Sequence, residues 1–99
     1  MRIEIIAMGT EPRFKFYEKV KITSTSSEAK EVFGEIAAVL ARTVAASEQG
    51  EFNYTVYVYR DEICRNFKEG ELEPTGQFDT MKSFINRQPL RFKGDEEDR

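Results

Sequence analysis

The side chains that most often carry catalysis or metal binding are scarce in this sequence. It contains no histidine, so the usual general base at neutral pH and the commonest metal ligand are both missing. Cys64 is the only cysteine, and without an imidazole to activate it we interpret it as a small core residue rather than a nucleophile. The glycines are scattered and form no phosphate-binding loop. We therefore expect a protein that is not an enzyme and that holds neither a cofactor nor a metal.

Basic residues are interleaved with one tyrosine along the second predicted strand, at Arg13, Lys15, Tyr17, Lys19 and Lys21. Such a face could bind single-stranded nucleic acid by phosphate contact and ring stacking. It could equally meet an acidic protein surface. Lysines also protect solvated edge strands against aggregation, which is the structural alternative. The pattern makes this face one candidate binding site and leaves these alternatives open.

Two tyrosines form the second candidate, because Tyr57 and Tyr59 lie on the polar face of the clearest strand in the chain. If a helix covers the opposite face, both rings are exposed, as tyrosines that anchor protein interfaces often are. The alternative is that the C-terminal segment folds over them through Met81, Phe84, Leu90 or Phe92. The sequence favours neither arrangement.

The elements that must position these residues follow from the periodicity. Alternation of apolar and polar residues, or β-branched and aromatic content, predicts strands at residues 2–8, 14–23, 51–60, 63–68 and, more weakly, 72–78. Glu18 falls on the apolar face of the second strand, which predicts a bulge or a strand end near Tyr17 and Glu18. Apolar residues at helical spacing predict a long helix over 26–47, with Thr25 and Glu28 as a capping box. A short helix should follow a cap at Asp79 or Thr80.

The resulting order, β-β-α-β-β-(β)-α, predicts an α+β domain in which one long helix packs on a mainly antiparallel sheet of four to five strands. Ninety-nine residues, of which 39% are hydrophobic, are enough for one domain, which we place at residues 1–93. Residues 94–99 are charged and are expected to be a disordered tail. The net charge of −3 disfavours a strongly basic nucleic-acid binder. One cysteine and the lack of a long apolar run indicate a complete, cytoplasmic chain without a membrane span.

The stretch from Gly76 to Ile85, GQFDTMKSFI, combines a strand end, a cap and a short amphipathic helix. It resembles the close of small bacteriophage and prophage accessory proteins, including anti-CRISPR inhibitors, and this resemblance implies an inhibitor without transferring any functional residue. The opening, Met1 to Glu4, is similar to the start of DNA-damage-inducible protein I and its phage relatives. That similarity ends there, so regulation of recombinase filaments is only an alternative.

These observations predict a non-catalytic protein-binding module, phage-encoded and acting as an inhibitor or modulator of a host protein. A nucleic-acid-binding module that uses the basic second strand is one alternative. A homo-oligomeric structural or assembly protein, joined through a sheet edge or the alanine-rich flank of the long helix, is another.

Overall fold

A computed structural model describes residues 12–42 and 52–93, and the structural statements below concern these two stretches. The regular elements, in chain order, are β1 (Glu18–Ile22), a 3-10 helix (Ser27–Val32), β2 (Ile36–Arg42), β3 (Asn53–Val58), β4 (Ile63–Lys68), a 3-10 turn (Glu69–Glu71), β5 (Leu72–Phe78), helix α1 (Met81–Ile85) and β6 (Arg91–Phe92). The strands form one mixed sheet in the order β5-β1-β2-β3-β4-β6. All neighbours are antiparallel except β4 and β6, which are parallel.

The strands predicted from strict alternation and β-branched content are confirmed. β3 and β4 pair along their whole lengths, from Asn53 opposite Lys68 to Val58 opposite Ile63. β5 is also a strand, although Pro74 and Gly76 interrupt it, and it lies at the edge of the sheet as a proline-containing strand must. The short C-terminal helix is confirmed too, with Thr80 as its cap, since Thr80 Oγ1 accepts the Ser83 N–H at 3.2 Å.

The sheet must curl on itself, because β4 and β5 are consecutive in the chain but lie four positions apart in the sheet. Strands are spaced about 4.8 Å apart, so a flat sheet would separate these two by roughly 19 Å. The single 3-10 turn at Glu69–Glu71 joins them, and at about 2 Å of rise per residue it reaches less than half that distance. β5 therefore returns beside β1, as in a Greek key, and the sheet encloses one interior.

Two apolar clusters lie on the two faces of this curled sheet. The inner cluster is contributed by every strand from β1 to β5 and by the 3-10 helix; its members include Val20, Ile22, Ala29, Val32, Val39, Tyr54, Val56, Phe67 and Leu72. The outer cluster is smaller and consists of Ala38, Tyr57, Cys64 and Phe84, with Tyr17, Leu40, Tyr59 and Leu90 packed against it. Helix α1 and the segment after it cover the outer face, and this arrangement positions the site described below.

The long helix predicted over residues 26–47 is wrong, and with it the α+β class built on a long packing helix. The described part of this segment, residues 26–42, instead forms a six-residue 3-10 helix, a turn at Gly34 with φ of +84°, and then β2. Within the described residues the longest helix has six residues, so the domain is mostly sheet. The predicted capping box is also absent, because Ser26 is the N-cap and its side chain makes no cap hydrogen bond.

The physical reason lies in the run Ile36-Ala37-Ala38-Val39-Leu40. The two faces of β2 are covered by different clusters, since Ala37 and Val39 belong to the inner cluster and Ala38 to the outer one, and a strand buried on both faces is continuously apolar. A run of this kind also satisfies a helical stripe. Intrinsic helix preference is a weak bias of a few tenths of a kcal/mol per residue, and pairing on both edges overrides it.

The second predicted strand is shorter than expected. Strand β1 begins only at Glu18, since Tyr17 has a left-handed backbone with φ of +67° and the register shifts between Glu18 and Val20. The predicted irregularity at Tyr17 and Glu18 is therefore confirmed. The predicted strand at residues 2–8 and the predicted tail at 94–99 lie outside the described residues. Of the helical segments that the structure describes, none is long and apolar enough to span a membrane.

Candidate functional site

Helix α1 presents an apolar surface outward as well as inward. Successive residues of a helix turn by about 100°, so Met81, Ile85 and Lys82 fall on one arc, and Phe84 flanks that arc about 60° beyond Met81. Phe84 is buried, whereas Met81 and Ile85 are 59% and 60% exposed. Two of the three side chains on the exposed arc are thus large and apolar, which is unusual for the solvent side of a short helix.

The inner side of α1 is held by a continuous set of aromatic rings. Phe84 stacks on Tyr17 with 5.9 Å between ring centroids and meets Tyr57 edge-on at 5.3 Å. Tyr57 in turn meets Tyr59 edge-on at 5.4 Å. Aromatic pairs in these geometries each contribute about 0.5–1.5 kcal/mol beyond the burial of their area. The helix is therefore docked through one buried side chain on a prepared platform of tyrosines.

Arg87 closes this platform from above. Its guanidinium carbon lies 5.2 Å from the Tyr57 ring centroid and 5.6 Å from those of Tyr59 and Phe84. Its Nη1 donates to Tyr57 Oη at 3.2 Å and its Nε donates to Ser83 Oγ at 3.3 Å. A planar guanidinium suits such stacking better than an ammonium group. Arg87 thereby ties the end of α1 to β3.

Tyr59 fixes the start of α1 through a carboxylate. Its hydroxyl donates to Asp79 Oδ2 at 2.5 Å, and Lys19 Nζ lies 5.5 Å from the Tyr59 ring centroid. Burial and the neighbouring Asp79 carboxylate raise the pKa of the Tyr59 phenol. Partial burial acts to raise the pKa of Asp79, but hydrogen bonds from Tyr59, Thr80 and Ser83 outweigh it and lower that pKa overall. Asp79 is therefore an ionised structural acceptor rather than a proton donor.

Four large apolar side chains are exposed where β1, β5 and α1 meet, and we call them the corner patch: Phe16, Phe78, Met81 and Ile85. They lie near one another because the Asp79 N–H donates to the Tyr17 carbonyl at 2.7 Å, which joins the residue after Phe78 to the residue after Phe16. Each side chain leaves about half its surface in water, on the order of 100 Å² apiece. The corner patch thus reaches the few hundred Å² of apolar surface that often marks an interaction site.

The predicted basic stripe is not one surface. Arg13 is directed toward the end of β4, where its backbone N–H donates to Glu69 Oε2 at 2.7 Å and its guanidinium stacks on Phe14. Lys15 precedes the left-handed turn at Tyr17, while Lys19 and Lys21 lie on β1. The strand was expected to align all five residues, but the turn at Tyr17 breaks its alternation. Tyr17 itself is half-buried against Phe84.

The two predicted surface tyrosines are not exposed as a pair. Tyr57 is 2% exposed, and Tyr59 is only partly exposed. Of the two alternatives that the sequence left open, the structure has the covered one, with Phe84 and Leu90 packed over Tyr57. The residues that sequence reasoning missed are Phe16, Phe78, Lys82 and Arg87. Met81, Phe84 and Ile85 recur at i, i+3 and i+4 spacing, which is typical of one apolar stripe, but this spacing does not say that only Phe84 faces the sheet.

The chemically reactive groups among the described residues are the Cys64 thiol and the carboxylates. Burial raises the pKa of the Cys64 thiol to about 11, so the thiol stays protonated and unreactive. Among the described residues, no three Cys, Asp or Glu side chains lie close enough together to hold a metal ion. What the corner patch and its cations can supply is contact area and charge.

No family model, no curated protein and no solved structure matches the chain.

Proposed function

We propose that this protein is a non-catalytic protein-binding module that docks a partner on the corner patch. The observation that carries the proposal is the exposed arc of α1, where Met81 and Ile85 remain largely in water. A five-residue helix gains no stability from that exposure. Large apolar residues at the centre of a surface, bordered by arginine and lysine, are typical of the anchors that dominate binding energy.

The docking of α1 supports the same proposal. A helix of five residues does not persist in water by itself. Here Thr80 caps it, Phe84 anchors it, and Arg87 and Asp79 tie both its ends to the tyrosine platform. A helix held in place before binding loses little conformational entropy when a partner arrives. The aromatic platform therefore serves to present Met81 and Ile85.

The more specific form of this proposal is a phage-encoded inhibitor or modulator that covers a surface of a host protein in the cytoplasm. Small size and a mixed-charge sheet with a short terminal helix support a phage-encoded inhibitor or modulator. A single cysteine, buried and without a second thiol to pair with, supports a reducing compartment.

The two alternative functions have less support. Nucleic-acid binding was predicted from a stripe of basic residues and a tyrosine ring available for stacking, but Tyr17 is packed on Phe84 and Arg13 is bonded to Glu69 at the end of β4. Self-association required an alanine-rich helix flank, whereas Ala37 and Ala38 are buried within β2. The β5 edge carries Pro74 and a register irregularity, both of which discourage edge-to-edge pairing.

Photo-crosslinking tests the proposal directly. The photoreactive residue p-benzoylphenylalanine is placed at Ile85 and, as a matched control, at Lys30, which is exposed on the 3-10 helix that packs on the inner cluster. Irradiated cells that naturally carry the protein should give one discrete protein adduct from position 85 and none from position 30. Excess unlabelled protein should compete the adduct away. The proposal fails if position 85 gives no adduct or if both positions give the same adducts.

A further inference from the structure

The charges around the corner patch indicate what kind of partner it fits. Five cationic residues are placed at this corner by their contacts with β1, the tyrosine platform or α1: Lys15, Lys19, Arg42, Lys82 and Arg87. Arg42 stacks on Phe16 with its guanidinium carbon 4.5 Å from the ring centroid, and Lys82 shares the exposed arc of α1 with Met81 and Ile85. The apolar surface is therefore bordered by positive charge on both its β1 side and its α1 side.

The carboxylates described at the same corner are already engaged. Glu18 is buried, and its Oε1 accepts the Lys15 N–H at 2.9 Å. Asp79 accepts the Tyr59 hydroxyl through Oδ2 and the Thr80 N–H, at 2.8 Å, through Oδ1. Both are turned into the fold as acceptors. The cations exceed them by three, so the corner is positive even with both carboxylates ionised.

This local excess is hidden by the net charge of the whole chain. The sequence carries 15 basic and 18 acidic residues, but the stretches 12–42 and 52–93 contain thirteen of the basic and ten of the acidic ones. The part that the structure describes is thus +3, and the acidic excess of the chain belongs to the remaining residues. Among the described residues, those that a partner meets at the corner patch carry a positive excess.

From this complementarity we propose that the occupant of the corner patch is an acidic protein surface, in which apolar side chains are flanked by Asp and Glu. This inference rests on the proposed function and adds the chemistry of the partner. Apolar groups of the partner contact Phe16, Phe78, Met81 and Ile85, and its carboxylates pair with Lys82 and Arg42 at the rim. Rim charges of this kind mainly accelerate association and make it sensitive to salt.

The adduct formed at position 85 identifies the partner, and mass spectrometry of its crosslinked peptide gives the contacted segment. We expect Asp and Glu to outnumber Lys and Arg in that segment. With the purified partner, raising NaCl from about 50 to 300 mM should weaken binding about tenfold, because the rim pairs are solvent-exposed. Lys82→Glu should weaken binding by a similar factor at low salt. Lys30→Glu makes the same charge change away from α1 and should alter the affinity less than twofold.

Each other outcome overturns a defined part of the reasoning. A protein adduct whose contacted segment lacks an acidic excess refutes the partner chemistry and leaves the binding function standing. Equal losses for Lys82→Glu and Lys30→Glu do the same, since the effect would then be one of net charge alone. An adduct with nucleic acid, recognised by its sensitivity to nuclease, refutes both, as does the lack of any adduct.

Discussion

Replacing Phe84 with alanine should detach the α1 segment from the sheet at a cost of about 3–5 kcal/mol. Phe84 is 4% exposed and is the only buried residue of α1. The substitution removes the stacking on Tyr17 and the edge-on contact with Tyr57, each about 0.5–1.5 kcal/mol beyond area burial. It also removes one of the three rings beneath Arg87. We therefore expect the cost of detaching the α1 segment to lie in the upper half of the range of about 3–5 kcal/mol.

The loss should be local rather than global. A domain of this size has a total stability of about 5–15 kcal/mol, and the inner cluster contains no residue of α1. The segment from Asp79 to Lys93 should therefore open while β1 to β5 stay folded. Met81 and Ile85 would then lose their fixed positions, and partner binding should fall although neither side chain has changed.

Hydrogen–deuterium exchange followed by mass spectrometry separates the two kinds of opening. In Phe84→Ala, peptides that cover Asp79 to Lys93 should exchange much faster than in the parent protein, while peptides from β2 and β3 should change little. Ile85→Ala is the matched control on the same helix, because Ile85 is 60% exposed and its truncation should cost less than about 0.5 kcal/mol.

Two results would refute this reasoning. If Phe84→Ala lowers the free energy of unfolding by less than about 1 kcal/mol, the ring does not anchor α1. If the β2 and β3 peptides lose protection together with Asp79 to Lys93, the outer cluster and the inner core are one cooperative unit, and the picture of a separately docked helix is wrong.

Three further predictions concern single groups. Burial raises the pKa of Cys64 to about 11 and, together with the Glu69 hydrogen bond, raises the pKa of Tyr54 to about 12. The folded state therefore holds both protons more tightly than the unfolded state, and the free energy of unfolding should decline as the pH rises above about 9. Urea unfolding between pH 8 and 11 measures this decline, and Cys64→Ala should reduce the part of it that begins at the lower pH. Because the pKa of Asp79 is lowered in the folded state, the ionised carboxylate contributes its full stabilisation above the ordinary pKa of 3.8, and this stabilisation is lost as the pH falls through the lowered pKa. Asp79→Asn should remove this acid-dependent loss of stability in thermal melts. Gly34→Ala should cost about 1–2 kcal/mol from its positive φ alone, since no heavy atom lies within 4 Å of the added Cβ, as urea unfolding will show.

Controls and contrary outcomes for these three are direct. A stability profile that stays flat from pH 8 to 11 would contradict the burial of the Cys64 and Tyr54 protons. Acid profiles that coincide for Asp79→Asn and the parent would contradict the hydrogen-bonded carboxylate. Gly76 has nearly the same backbone angle, a φ of +83°, and equally open surroundings, so Gly76→Ala should match Gly34→Ala; a loss above about 3 kcal/mol at either site would indicate a steric clash instead.

The sequence by itself determined the local elements that are specified by short-range physics. Strict alternation of β-branched and aromatic residues predicted β3, because a half-buried pleated surface requires that pattern, and the turn at Asp61 and Glu62 predicted β4 as the strand that follows. Glu18 on an apolar face predicted the irregularity before β1. A hydroxyl residue ahead of an amphipathic run predicted the cap and the helix α1. The expectations about partners and catalysis stay predictions, since neither local pattern nor fold tests them.

Only the tertiary structure decided what the central segment becomes and which faces are covered. The run from Ile36 to Leu40 fits both a helical stripe and a doubly buried strand, and pairing with β1 and β3 selects the strand. Tyr57 alternates with buried residues and so looks exposed, yet α1 folds back over it. The corner patch joins Phe16 to Met81 through one hydrogen bond between residues more than sixty positions apart. The periodicity of apolar residues predicts which residues share a face of a strand or helix, but contacts between distant segments determine what covers that face.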